Sequence, residues 1–283
     1  MLLASIVLAV IGPIVAVLVA IFAISLLIVF AAALLFVIQL WKARLLGGAI
    51  KVDPDSFPEI HETLTAVRRQ LEYTRPIDLY VADNVEGKAQ LVHLLGHRVI
   101  LLDGSFAAGL HEEQYARLHF IIASYVGALK SRHARFAHIS MLLDYLKVLR
   151  FVSPFLNPYY RATTYTGDQI GYLCAGRLEA PLSVLARLMV GNEMSAQVSV
   201  SGILRQGVLV EHRWMARYSQ LLSETPHLVN RYINVIAFAS WANPQDYERF
   251  LNSLDQDSQQ RLQMLLHASP HADRAPRTTT VHG

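Results

Sequence analysis

The sequence predicts an α+β fold, mainly helical with a small β-element, carried behind an N-terminal transmembrane segment. Three observations predict it. Residues 2–41, from Leu2 to Trp41, contain no Asp, Glu, Lys, Arg or His. The remaining stretch of about 240 residues, the size of one conventional domain with an accessory segment, places apolar residues mostly at helical spacing. Only two short β-type runs, Ile77–Ala82 and Arg98–Leu102, interrupt that spacing. With 53% hydrophobic and 17% charged residues, the chain is neither disordered nor an ordinary soluble domain.

The apolar run is twice the ~20 helical residues that one membrane crossing requires. It fits two arrangements: a tight hairpin turning near Ile11–Gly12–Pro13 or at Ser25, or one long helix that projects beyond the bilayer. Pro13 would kink the helix that contains it. The run lacks a charged segment before it and is too long for a signal peptide's apolar core, so a retained anchor is expected. Trp41 occupies an interfacial position, and Lys42, Arg44 and Lys51 follow at once. Positive flanks stay on the cytoplasmic side. The expected organisation is therefore an anchor over residues 1–45, a cytoplasmic domain over 46–267 and a disordered Pro-, Thr-, Arg- and His-rich tail over 268–283.

Within the domain, Gly47–Gly48 marks the break from the anchor. Phe57, Ile60, Leu64, Val67 and Leu71 recur at helical spacing and predict a helix over 57–73. The two β-type runs are separated by a loop containing Gly87. A helix is expected from about Glu112 to Phe136, an amphipathic one over 137–152, and an interruption at Pro154 and Pro158. Helices follow over Asp168–Gly176 and Leu182–Gly191, then from Ser195 to Phe238 with a break near Thr225-Pro226. A final helix covers 243–266.

Composition excludes several classes. The net charge is +3 with no concentrated Lys/Arg stripe, which argues against nucleic acid. A single cysteine, Cys174, excludes a disulfide framework and a Cys-rich zinc site. Twelve histidines invite a search for metal ligands, but the helical zinc pattern HExxH is missing. His61-Glu62 is followed by Thr65 where the second histidine belongs, and His111-Glu112 by Tyr115. His93 and His97 stand four apart but abut a strand-like run, where that spacing does not converge.

Phe120–His133, FIIASYVGALKSRH, nevertheless resembles the active helix of the HtpX-like and CAAX-prenyl-protease-type membrane zinc metallopeptidases. That helix runs close to V-L-A-H-E-L-G-H-I-K-x-R-H. Ala123, Gly127, Lys130 and Arg132-His133 match it. Ser124 stands in place of the first ligand histidine, Tyr125 of the general-base glutamate and Ala128 of the second histidine. The third-ligand segment, close to E-x-x-A-D-R-I-G, aligns with Thr163–Gly171, TTYTGDQIG. Asp168, Ile170 and Gly171 match, while Thr164 takes the glutamate position. Ile50–Leu64 is similar to the family's entry helix, Arg98–Leu102 to the strand edging its substrate cleft, and Leu185–Gly191 and Pro226–Phe238 to two later segments.

The resemblance implies a zincin-like domain whose chemistry has been removed. Ser, Ala and Thr supply neither imidazole nor carboxylate, so no zinc and no catalytic residue are expected. His133 lies nine residues past Ser124, about 180° around a helix, and does not replace a ligand. Ser124 lacks a specified base and oxyanion hole and reads as a packing residue. Cys174 reads as a buried thiol, and Asp168 as the partner of a local arginine or a helix cap. The expected function is binding: a cleft lined by Val99, Leu101 and Tyr125 would hold an extended segment of a membrane-protein client or partner beside an edge strand. A bacterial inner membrane and a role in protein quality control follow from the same resemblance. Two alternatives stay open: an active zinc endopeptidase with other ligands, and a structural subunit of a homo- or hetero-oligomeric membrane assembly.

Overall fold

A computed structural model describes residues 2–85, 87–94, 97–111, 115–131, 153–213, 215, 219, 223 and 225–268. The chain divides into two compact units, Met1–Ala49 and Ile50–Gly283. The first is a single α-helix, α1 (Leu2–Gly48), with Pro13 inside it. No hairpin forms, because nothing in the run favours a turn over continued helical hydrogen bonding. Ser25, one of the two turn candidates, donates its hydroxyl to Ile21 O at 2.8 Å and stays within the helix. The helix has 47 residues, about 70 Å at 1.5 Å per residue. Its segment Gly12–Ala33 has a mean hydropathy of 3.2 and is long and apolar enough to cross a membrane. A signal sequence meets the same measure of length and composition.

The second unit builds around a four-stranded sheet. After β1 (Ala49–Lys51) come α2 (Pro58–Gln70), β2 (Asp78–Ala82), β3 (Ala89–Leu94) and β4 (His97–Asp103). The strand order is β1-β2-β4-β3. β4 runs parallel to β2, with Tyr80 opposite Leu101, and antiparallel to β3, with Gln90 opposite Leu101. This corrects two expectations. The segment following Gly87 is a strand as well as a loop, and the run at Arg98–Leu102 is central, with both edges paired. β3 contains Gln90 and His93 and has weak intrinsic strand character; its pairing with β4 makes it a strand.

Asp103 turns the chain from β4 into α3 (Gly104–His111). Its carboxylate caps the helix by accepting from Phe106 N at 3.1 Å and from the Ser105 hydroxyl, and it also accepts from Val85 N in the β2–β3 loop. Burial alone would raise its pKa; these hydrogen bonds and the nearby Lys88 hold it below the usual carboxylate range. Helix α4 (Ala116–Ser131) is buried almost all round, with Phe120, Ile121, Ile122, Ala123 and Val126 fully inaccessible. A helix apolar on every side belongs in the centre of a core.

Helix α5 (Ser153–Ala175) packs against α4 and runs antiparallel to it. It starts well before Asp168, and Pro158 lies within it instead of ending it. That proline sits just past the first turn, so it removes only one intrahelical bond. Then follow α6 (Glu179–Val190), the single turn α7 (Asn192–Ser195), α8 (Val200–His212), α9 (Leu228–Ala242), α10 (Pro244–Asn252) and α11 (Gln256–Ala268). The expected final helix is thus two helices. Asn243 caps the first by accepting from Asp246 N, and Asp255 accepts from Ser258 N to open the second. Residues 137–152 and 269–283 lie outside the described residues.

The α4–α5 contact is made by small residues. A β-carbon on Gly127 would lie 2.7 Å from Ile170 Cγ2, and one on Gly171 would lie 2.8 Å from Phe120 O. One on Gly167 would lie 3.1 Å from the Ala128 methyl and run into Ser124 O. Real β-carbons do not approach backbone oxygen this closely, so the two helix axes can only meet here because the methyls are missing. Gly167→Ala should therefore lower stability by roughly 1–3 kcal/mol through overpacking, despite alanine's better helix propensity. Thermal unfolding of the full chain checks this, with Gly12→Ala as the comparison, since a β-carbon at Gly12 meets nothing within 4 Å. That second change should leave the unfolding temperature unaltered or slightly raised.

Candidate functional site

The α4–α5 seam sets Ser124 and Ala128 against Gly167, which adjoins Asp168, and Thr164 lies one turn earlier on α5. Their donor chemistry decides what the region can hold. Ser124 is 4% exposed, and its hydroxyl donates to Ile121 O at 2.8 Å. Thr163 and Thr164 both donate to Tyr160 O, at 2.8 and 3.0 Å. These hydroxyls are turned back onto their own helices, and Ala128 offers only a methyl. Tetrahedral zinc needs thiolate, imidazole or carboxylate ligands, so this donor set does not fit zinc. The close approach of Gly167 to Ser124 also leaves backbone contact where ligating side chains would need room.

Asp168 is fully buried and pairs with Arg231 of α9 through two bonds, Nε to Oδ2 at 2.8 Å and Nη2 to Oδ1 at 2.7 Å. This is the bidentate fork–carboxylate arrangement, among the stronger polar contacts a protein makes. Burial would lower the arginine's pKa, but the Asp168 carboxylate outweighs it and raises it. Beside the pair, Gln169 donates to Asn234 at 3.2 Å and ties α5 to α9 a second time. Asp168 therefore holds α9 against the seam, and both of its oxygens are engaged.

Tyr125 also lies within electrostatic reach of Asp168 and Arg231. Burial pushes its phenol up to about 12, Arg231 opposes that shift and Asp168 adds to it. The group is a neutral donor, and its hydroxyl donates to Ala89 O on β3 at 2.7 Å. The ladder shows which edge this is. Asp103 N donates to Lys88 O, so Lys88 faces β4 and the alternating backbone groups of Ala89, Leu91 and His93 face away. Among the described residues no strand pairs with the far side of β3, and Tyr125 occupies the first acceptor on that edge. Leu91 and His93 carry the rest of that edge.

Two expected groove residues are placed differently. Val99 and Leu101 are 4% and 8% exposed and lie on a strand paired on both sides. They alternate with Ile100 and Leu102, which face the main core. Neither can present backbone to an added strand; β3 is the edge in their place.

Among the described residues, no three His, Cys, Asp or Glu side chains gather as a metal site. The register sets His93 opposite Arg98 and Leu94 opposite His97, so the two histidines stand on facing strands, one position out of register. His119 is half-buried on α4, and burial lowers its pKa. His133 lies outside the described residues. Cys174 is partly buried, and desolvation raises its thiol pKa.

Sequence reasoning missed Arg231. The Pro226–Phe238 segment contains it, but only the tertiary pairing gives it a role. Replacing Asp168 with Ala should strand a buried guanidinium and cost about 3–5 kcal/mol. Asp168→Leu combined with Arg231→Met should recover most of that loss, because an apolar pair leaves no buried charge. Denaturant unfolding of the single and double variants gives the comparison. No protein-family model, no curated protein and no solved structure matches this chain.

Proposed function

We propose that this protein is a membrane-anchored, peptidase-like scaffold that acts by binding and not by hydrolysis. The observation that carries the reading is the division of labour along the α4–α5 seam. Positions at which the chain agrees with the metallopeptidase pattern are packing positions. Gly127 seats against Ile170, Gly171 against Phe120, Lys130 donates to Leu71 O at the end of α2, and Asp168 holds Arg231. Positions that disagree are those where the pattern places chemistry: Ser124, Tyr125, Ala128 and Thr164. A chain that keeps a scaffold's packing and lacks its ligands retains surfaces, and surfaces bind.

The surface that suits binding is the free edge of β3. An extended segment added there would hydrogen-bond to outward backbone groups at Leu91 and His93, which is β-augmentation. The occupant in this reading is an extended segment of a membrane-protein client or of an active partner enzyme. The apolar α1 helix would hold the protein in a membrane, with Lys42, Arg44 and Lys51 favouring a cytoplasmic position for the domain. A bacterial inner membrane and a quality-control role belong to the same proposal.

The reading predicts that a photoreactive residue at Gln90, exposed on β3, crosslinks in membranes to a discrete protein species. Leu91→Pro removes one outward N–H while leaving the β4 ladder intact and should abolish that adduct. Labelling of lipid alone, or an adduct indifferent to the proline, would remove strand addition from the account.

A further inference from the structure

Away from the seam, helices α6, α8 and α10 border a cavity of about 530 Å³ that opens to solvent, within the size range of small-molecule sites. Four arginines line it, each from a different part of the chain: Arg117 on α4, Arg177 in the turn before α6, Arg187 on α6 and Arg249 on α10. Two carboxylates face them, Glu179 and Asp246. Among the described lining residues the count is four guanidiniums to two carboxylates.

Asp246 is committed to the fold. It is 6% exposed and already accepts from Tyr172 OH at 3.1 Å, Leu178 N at 2.7 Å and Arg249 at 3.1 Å. It is therefore a structural acceptor that also steadies Arg249. Arg187 is steadied in turn by donating to Gly109 O. Two of the four guanidiniums are thus held in place by the fold, and Arg177 stands exposed at the rim. The rest of the lining is mixed: Leu182, Ile203 and Phe250 are apolar, while Ser183, Ser195 and Ser253 bring hydroxyls.

We infer that this cavity is a binding site for an organic phosphate. A phosphate presents several acceptor oxygens to guanidinium forks carried on different elements, whereas one carboxylate satisfies one fork. The mixed hydroxyl and apolar lining takes the remainder of the ligand. A phospholipid and a soluble phosphate ester share this chemistry, and the experiment separates them.

The full chain in nonionic detergent is titrated with dioctanoyl phosphatidic acid, dioctanoylglycerol and glycerol phosphate, and the unfolding temperature is followed. A saturable rise is expected with a phosphate-bearing probe and not with dioctanoylglycerol. Arg177→Gln combined with Arg249→Gln should weaken that response about tenfold or more, the scale of losing charge-assisted contacts. Arg177→Gln alone, a change at an exposed side chain, should give a smaller loss with unchanged stability in the absence of probe. Saturation by glycerol phosphate identifies a soluble ester as the ligand, and saturation by phosphatidic acid alone identifies a lipid. Equal responses to dioctanoylglycerol and phosphatidic acid, no saturation by either phosphate, or indifference to the arginine changes would each overturn the assignment.

Discussion

The close approach of α4 and α5 is the constraint on which the domain depends. It exists because Gly127, Gly167 and Gly171 carry no side chain where Ile170, Ser124 and Phe120 press against them. From that contact the rest follows in order. α4 becomes a helix buried on nearly all sides, so α2, the sheet and α6 can pack around it. α5 presents Asp168 to Arg231, and that pair draws α9 and its apolar face onto the same core. A buried ion pair contributes little net stability by itself. Here its value is positional, because the fork geometry accepts α9 in one orientation.

That constraint also shapes the chemistry. A seam closed by backbone contact has no space for liganding side chains, and its hydroxyls are spent on carbonyls of the same helix. Tyr125, on the turn between Ser124 and Ala128, reaches outward and pins the edge strand through Ala89. The position that the metallopeptidase resemblance assigns to a proton-transfer base is occupied by a neutral phenol with a structural hydrogen bond. The central helix and the sheet edge are thus linked by packing and a hydrogen bond.

Much of this was legible in the sequence, and the failures have physical causes. The uncharged run 2–41, the helix at 57–73 and the strands near 77–82 and 98–102 announced themselves by composition and period. Asp168 was expected to pair with a local arginine or cap a helix; its partner lies sixty-three residues away, and no local pattern marks a long-range ion pair. β3 escaped because Gln90 and His93 weaken its strand signal, and with it went the identity of the edge. The hairpin reading failed because an apolar run without a polar loop gives no local reason to turn. The basic cavity was invisible because its arginines are scattered from 117 to 249 and converge only after α6, α8 and α10 pack.

The account stands on the claim that the seam holds no catalytic metal. Elemental analysis of the full chain, purified in detergent without metal-affinity chromatography and then equilibrated with zinc and desalted, tests that claim most directly. Zinc far below one equivalent per chain is the predicted result, because Ser124, Ala128 and Thr164 supply no ligand. Stoichiometric zinc that survives desalting would contradict it and would send the search for ligands to the histidines at 93, 97, 111, 119 and 133.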